Sequence, residues 1–149
     1  MEFPKLPPWD QLPDLELYLD QVLLYVNQVT RFKDTSDAKL LTASMINNYV
    51  KHGYIEKPYK KKYHKKHIAR LIAISILKHS FSIQDISRVL ANLQDASDSE
   101  TLYNTFVHYW NVESTALPIN LISYACQTIK CYHLTMDLSQ EMLYHESNL

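Results

Sequence analysis

One glycine in 149 residues, Gly53, limits this chain more than any other feature. Typical usage is about 7%. Sheet-rich folds and dinucleotide-binding α/β folds need glycines for positive-φ turns and for close backbone approach. A chain nearly without them is expected to be all-α. Apolar residues make up 46% and charged residues 21%, a mixture that buries a core without disulfide staples at this length. Cys126 and Cys131 stand five apart in a helical stretch, on different faces, so no disulfide is expected. The longest apolar run, residues 68–77, contains Arg70 and is too short to span a bilayer. The amino terminus, MEFPKLPPWD, lacks a charged-then-apolar signal pattern. These features together predict a cytoplasmic protein with reduced thiols.

Periodicity divides the chain into three parts. Residues 1–34 carry four prolines (4, 7, 8 and 13), then Leu15, Tyr18, Leu19, Val22, Tyr25, Val26 and Val29 at helical spacing. This predicts an arm, with Trp9 pinned to the core, and a helix over 14–29 that packs on the rest. Residues 35–93 begin with a polar connection. Thr42 is placed to cap a helix whose inward residues are Met45, Ile46, Tyr49 and Val50. Gly53 closes it. The segment 54–63 contains Pro58 and alternates tyrosine with lysine, as a small two-stranded wing or a loop. A helix over 64–78 is apolar nearly all round and should be central. Ser82 with Asp85 caps the next helix, and Phe81 is placed to staple onto Ile86.

Residues 97–149 form a helical region. Ser97 and Glu100 make a capping box, and Leu102, Tyr103, Phe106, Val107 and Trp110 point inward. Pro118 suits the first turn of a last helix that runs to about Tyr144. In it Ile119, Ile122, Cys126, Ile129, His133, Met136, Gln140 and Leu143 follow a heptad pattern. Two readings stand equal there, a homodimer seam and intramolecular packing.

Charge is the second constraint. The net value is −1, yet residues 51–70 hold eight Lys or Arg against one acid, Glu56. That is +7 locally and −8 elsewhere, an asymmetry that suggests a polyanionic partner. The outward stripe of the Thr42 helix is Ser44, Asn47, Asn48 and Lys51. Asparagine is a poor helix former, but its amide can read base edges. Lys57, Lys60, Lys61, Lys62, Lys65 and Lys66 follow. The helix at 64 starts with no Ser, Thr, Asp or Asn cap, and Lys65, Lys66 and His67 load the positive end of its dipole. A docked anion would offset both defects.

Catalytic and metal motifs are missing. There is no phosphate-cradling glycine loop, no G-x-S-x-G and no H-E-x-x-H. Neither His64 with His67 nor Cys126 with His133 has further ligands at suitable spacing. No enzymatic activity, cofactor or metal is therefore expected.

Residues 41–90, LTASMINNYVKHGYIEKPYKKKYHKKHIARLIAISILKHSFSIQDISRVL, resemble the DNA-binding domain of MerR-type regulators in order of features. The matching positions are residues 46–51, Gly53, Pro58, Lys61, Tyr63, the helix at 68–77, and Phe81-Ser82 with Asp85-Ile86. Through LYLDQV, LTASMINNYVK, KP, KKKY and HIA, nearly the whole chain also resembles the bacterial family named domain of unknown function 1836. The resemblance departs from MerR at Asn47, where an arginine is usual, and at Tyr59, in place of the wing glycine. It implies a winged helix-turn-helix with the helix at 42–52 in a major groove and the wing at 57–66 on the backbone. The expected function is a transcriptional regulator that binds double-stranded DNA as a homodimer. Its contacts would come from Thr42, Ser44, Asn47, Asn48, Lys51, Lys57, Lys60, Lys61, Lys62, Tyr63, Lys65 and Lys66. The competing expectation is a helical protein-interaction module that does not bind DNA.

Overall fold

A computed structural model describes residues 3–32, 40–113 and 120–147. Among these residues the fold is all-α, with six helices: α1 (Leu19–Thr30), α2 (Ala43–Lys51), α3 (Lys65–Leu77), α4 (Ile83–Gln94), α5 (Ser99–Asn111) and α6 (Leu121–Ser147). The expected centrality of the third helix holds. Every residue of α3 from His67 to Leu77 except Arg70 is buried, and the helix touches α1, α4, α5 and α6. Each such Ile or Leu contributes about 1.5–3 kcal/mol on burial. One cluster of buried side chains extends from Leu6 to Ile129.

The arm straps onto α5. Trp110 Nε1 donates to the Pro4 carbonyl (2.7 Å) and the Tyr103 hydroxyl to that of Pro7 (2.6 Å). Asn111 pairs with both backbone groups of Leu6, each at 2.9 Å. Proline-rich backbone cannot satisfy itself in a helix or ladder, so side chains of α5 do it. Trp9 packs edge-on to Tyr103, as its expected pinning requires.

Three boundaries differ from expectation. The helix predicted from residue 14 starts at Leu19, because Leu17 forms an antiparallel bridge with Tyr63: N–H to carbonyl distances are 3.0 and 2.8 Å. That pairing holds the chain extended, so Leu15 and Tyr18 face solvent rather than the core. In α5 the cap is Asp98, not Ser97; its carboxylate accepts from the Thr101 N–H at 2.7 Å. That bond keeps the Asp98 carboxyl below its usual range. The last helix begins at Leu121, after Asn120 accepts from the Ser123 N–H. Pro118 and Ile119, assigned to its first turn and its heptad, lie outside the described residues.

The heptad stripe of α6 divides in two. Cys126, Ile129 and His133 are buried in the protein's own core, while Met136, Gln140 and Leu143 are exposed. Burial pushes the Cys126 thiol up to about 12, which makes it unreactive. His133 Nε2 lies 3.0 Å from His79 Nδ1, and both rings lie against Phe32. Among the described residues no group of three or more His, Cys, Asp or Glu could hold a metal ion. No described helix is long and apolar enough to cross a membrane.

Candidate nucleic-acid interface

The first part of the candidate surface is α2. The Thr42 hydroxyl accepts from the Met45 N–H at 3.2 Å and starts the helix. Ile46 and Tyr49 face the core, with Met45 and Val50 half-buried. That orientation puts Thr42, Ser44, Asn47, Asn48 and Lys51 on the exposed side. Gly53, at φ +74°, turns the chain out of the helix. A clamp that the sequence did not announce fixes where α2 starts. The Asn27 amide of α1 donates to the Leu41 carbonyl and accepts from the Leu41 N–H, both at 2.9 Å.

The second part is a minimal hairpin. Tyr59 and Lys62 exchange two backbone hydrogen bonds (3.1 and 2.9 Å) across a two-residue turn made of Lys60 and Lys61. Both lysines adopt positive φ, +50° and +67°. This is the type I′ pattern, where Asn-Gly is the favoured pair because its residues tolerate left-handed backbone. Lysine does not, and each one costs about 1–2 kcal/mol there. The hairpin therefore holds two cations at its exposed tip in strained backbone. Lys57 is exposed on the approach to the hairpin.

Tyr63 does not belong to this surface. It is only 3% exposed, because the bridge to Leu17 turns its ring inward, edge-on to His67. Its role is to anchor the base of the hairpin.

The third part is the start of α3. The His64 side chain makes no cap hydrogen bond to the helix, in line with the missing Ser, Thr, Asp or Asn cap, but the cap residue's own N–H is held. His64 occupies the cap position, and His67 Nδ1 accepts its N–H at 3.0 Å. This is one half of a capping box, with histidine in the role usually taken by Glu or Gln. Because Nδ1 accepts, the ring proton sits on Nε2. That atom is buried near the Lys57 carbonyl without reaching hydrogen-bond geometry. Desolvation lowers the His67 pKa, and the Lys57 carbonyl opposes the shift. Lys65 and Lys66 follow on the first turn.

Acids thin the cation cluster. Glu16 approaches Lys62 at 3.3 Å and His64 at 3.9 Å, and Glu56 holds Lys66 at 2.6 Å. Glu16 arrives from the extended segment before α1, a pairing across 46 positions that local sequence could not show. Among the described residues, no carboxylate pairs with Lys51, Lys57, Lys60, Lys61 or Lys65.

These features define a helical protein with a cation-tipped hairpin between α2 and a central helix that is buried beyond its first turn except at Arg70. The chain belongs to the DUF1836 family, a domain of unknown function: the family model matches residues 7–106, from the proline arm into α5. No curated protein and no solved structure matches the chain.

Proposed function

We propose that the protein binds double-stranded DNA as a transcriptional regulator, with a MerR-like winged helix-turn-helix within residues 35–93 that presents α2 and the hairpin. The outward face of α2 enters a major groove, and the hairpin and the start of α3 contact phosphates. The two lysines at positive φ carry the reading. Strained backbone at an exposed tip is kept where function uses it, and a polyanion is the partner that uses adjacent lysines. Lysine contacts position the protein, while Ser44, Asn47 and Asn48 are the groups able to read base edges. Their loss should relax sequence preference more than it weakens binding.

The test is a gel-shift series on random duplex at rising salt. Five lysines without acid partners correspond to about five phosphates, so log K should fall against log salt with a slope of about −4.5 per protomer. The triple variant Lys60→Ala, Lys61→Ala, Lys62→Ala should weaken binding and flatten that slope by about two units, since Lys62 already has Glu16. Unchanged binding in the triple variant, or none at low salt in the parent, overturns the proposal. One observation favours a second reading, a protein-interaction module. The last turns of α6 expose Leu138, Met142, Leu143 and Tyr144. Absence of DNA binding together with capture of a partner through these residues would support it.

A further inference from the structure

The amphipathic helix α4 buries only Ile86, and lies as a cover over a passage between α3, α5 and α6. The passage comprises three spaces that adjoin through shared lining residues. Its waist has a cavity volume of about 80 Å³ and is bounded by Ala69 and Ala73 of α3, Leu90 and Leu93 of α4, Phe106 of α5 and Ala125 of α6. At one end the waist adjoins a polar cleft of about 510 Å³, sharing Lys66, Arg70, Gln94 and Ser99 with it. At the other end it joins an apolar groove of about 320 Å³, sharing Leu77, Val89, Leu121 and Ala125. Ligand sites usually combine an apolar lining with a few placed polar groups.

Charge gives the passage a direction. Among the described residues, the charged ones on the waist are Lys66 and Arg70, four apart on one face of α3. Among the described residues, the far groove instead carries Asp85 as its one charge. Arg70 is half-buried, and its Nε donates to the Tyr54 carbonyl at 3.2 Å. Among the described residues it forms no ion pair. Desolvation lowers its pKa from the usual arginine range, and the Glu56 carboxylate offsets that shift only in part. A carboxylate accepted on the guanidinium fork supplies that compensation. Glu56 and Asp98 also border the polar cleft, engaged by Lys66 and by the cap of α5. With Lys66 and Arg70 they leave the cleft without net formal charge, which disfavours a doubly charged phosphate and leaves Arg70 as the cation with no ion pair among the described residues.

We propose that this passage binds a fatty acid, with its carboxylate at Arg70 and Lys66 and its unbranched chain running through the waist under α4. A waist of about 80 Å³ is smaller than a cavity that holds a benzene ring, and so suits a polymethylene chain better. From Gln94 to Asp85 the passage follows about 14 Å of helix, which an extended chain of about ten to twelve carbons spans. The site goes beyond the DNA-binding proposal and does not depend on it.

The test is calorimetric titration of the full chain with laurate below its micelle concentration and without DNA, followed by NMR of the alanine methyls. Saturable one-to-one binding is expected, with shifts at Ala69, Ala73 and Ala125. Arg70→Gln should weaken it at least tenfold, and Ala73→Leu should block it by filling the waist. Dodecyltrimethylammonium, the same chain with a cationic head, should bind at least tenfold more weakly. Should Ala73→Leu fail to fold, Arg70→Gln and the cationic analogue still decide. Equal affinity for the two heads, an unaffected Arg70→Gln protein, or no saturable binding overturns the site.

Discussion

At the scale of single residues, the backbone of Lys60 and Lys61 and the ring of His67 make the sharpest claims. If the two lysines are kept at positive φ for their charge, giving the turn its preferred residues should separate stability from binding. Lys60→Asn with Lys61→Gly should raise stability by about 1–2 kcal/mol in urea titration and weaken DNA binding in the same preparation. A variant that gains stability and binds as before would remove the functional reason for the strain. His67 leads to a pH dependence. Its folded pKa lies below the ordinary value near 6.5, so the unfolded chain takes up its proton first as pH falls. Stability from this group is present above pH 6.5 and declines below it, until the folded pKa is passed. His67→Gln has no proton to gain, and should lose less stability than the parent between pH 7 and 5.5 by thermal melting. An equal loss in both proteins would place the titrating group elsewhere. Neither residue was fully legible in the sequence. The lysine run was visible as charge, but its backbone conformation depends on Tyr59 meeting Lys62. His67 read as unfavourable charge at a helix start, because its acceptor nitrogen shows only once the ring folds back on His64.

At the scale of elements, periodicity located what packing decides and misplaced what pairing decides. The α3 pattern, apolar on every face, announced a central helix, and the Thr42 and Ser82 caps stand where their side-chain chemistry put them. Periodicity starts the first helix five residues too early, since Leu15 and Tyr18 fit its stripe. What overrode the stripe is the bridge between Leu17 and Tyr63, a contact that local spacing does not encode. Asn27 is a related case. A mid-helix asparagine is a poor helix former, so its presence was the available signal. Its amide holds both backbone groups of Leu41, just ahead of α2. Asn27→Ala leaves that buried donor and acceptor unpaired, at a cost of about 1–3 kcal/mol. If the α1–α2 pair is the reading unit, the variant should also lose DNA affinity while Lys60 and Lys61 remain in place. Denaturant titration beside gel shift checks both, and full affinity in a destabilised protein would free α2 from the reading role.

At the scale of the whole molecule, α6 outruns the core it belongs to. Its buried residues end at His133, and from Leu134 to Glu146 every residue except Asp137 is exposed. That is about 20 Å of projecting helix, a length that is marginal in water without packing. Leu138, Met142 and Leu143 are 58–65% exposed along it, more apolar surface than a solitary helix end needs. The heptad reading therefore changes: its first half is spent within the protomer, and Met136, Leu143 and the Leu134–Leu138–Met142 row are left to meet a second copy. A chain ending at Thr135 keeps the whole described core, so its melting temperature should match that of the parent at low concentration. Light scattering at tens of micromolar should give a dimer mass for the full chain and a monomer mass for the shortened one. The shortened chain should also show about half the salt dependence of DNA binding, because one hairpin instead of two reaches the duplex. A monomeric full chain rejects the dimer. A shortened chain that still dimerises moves the contact away from α6.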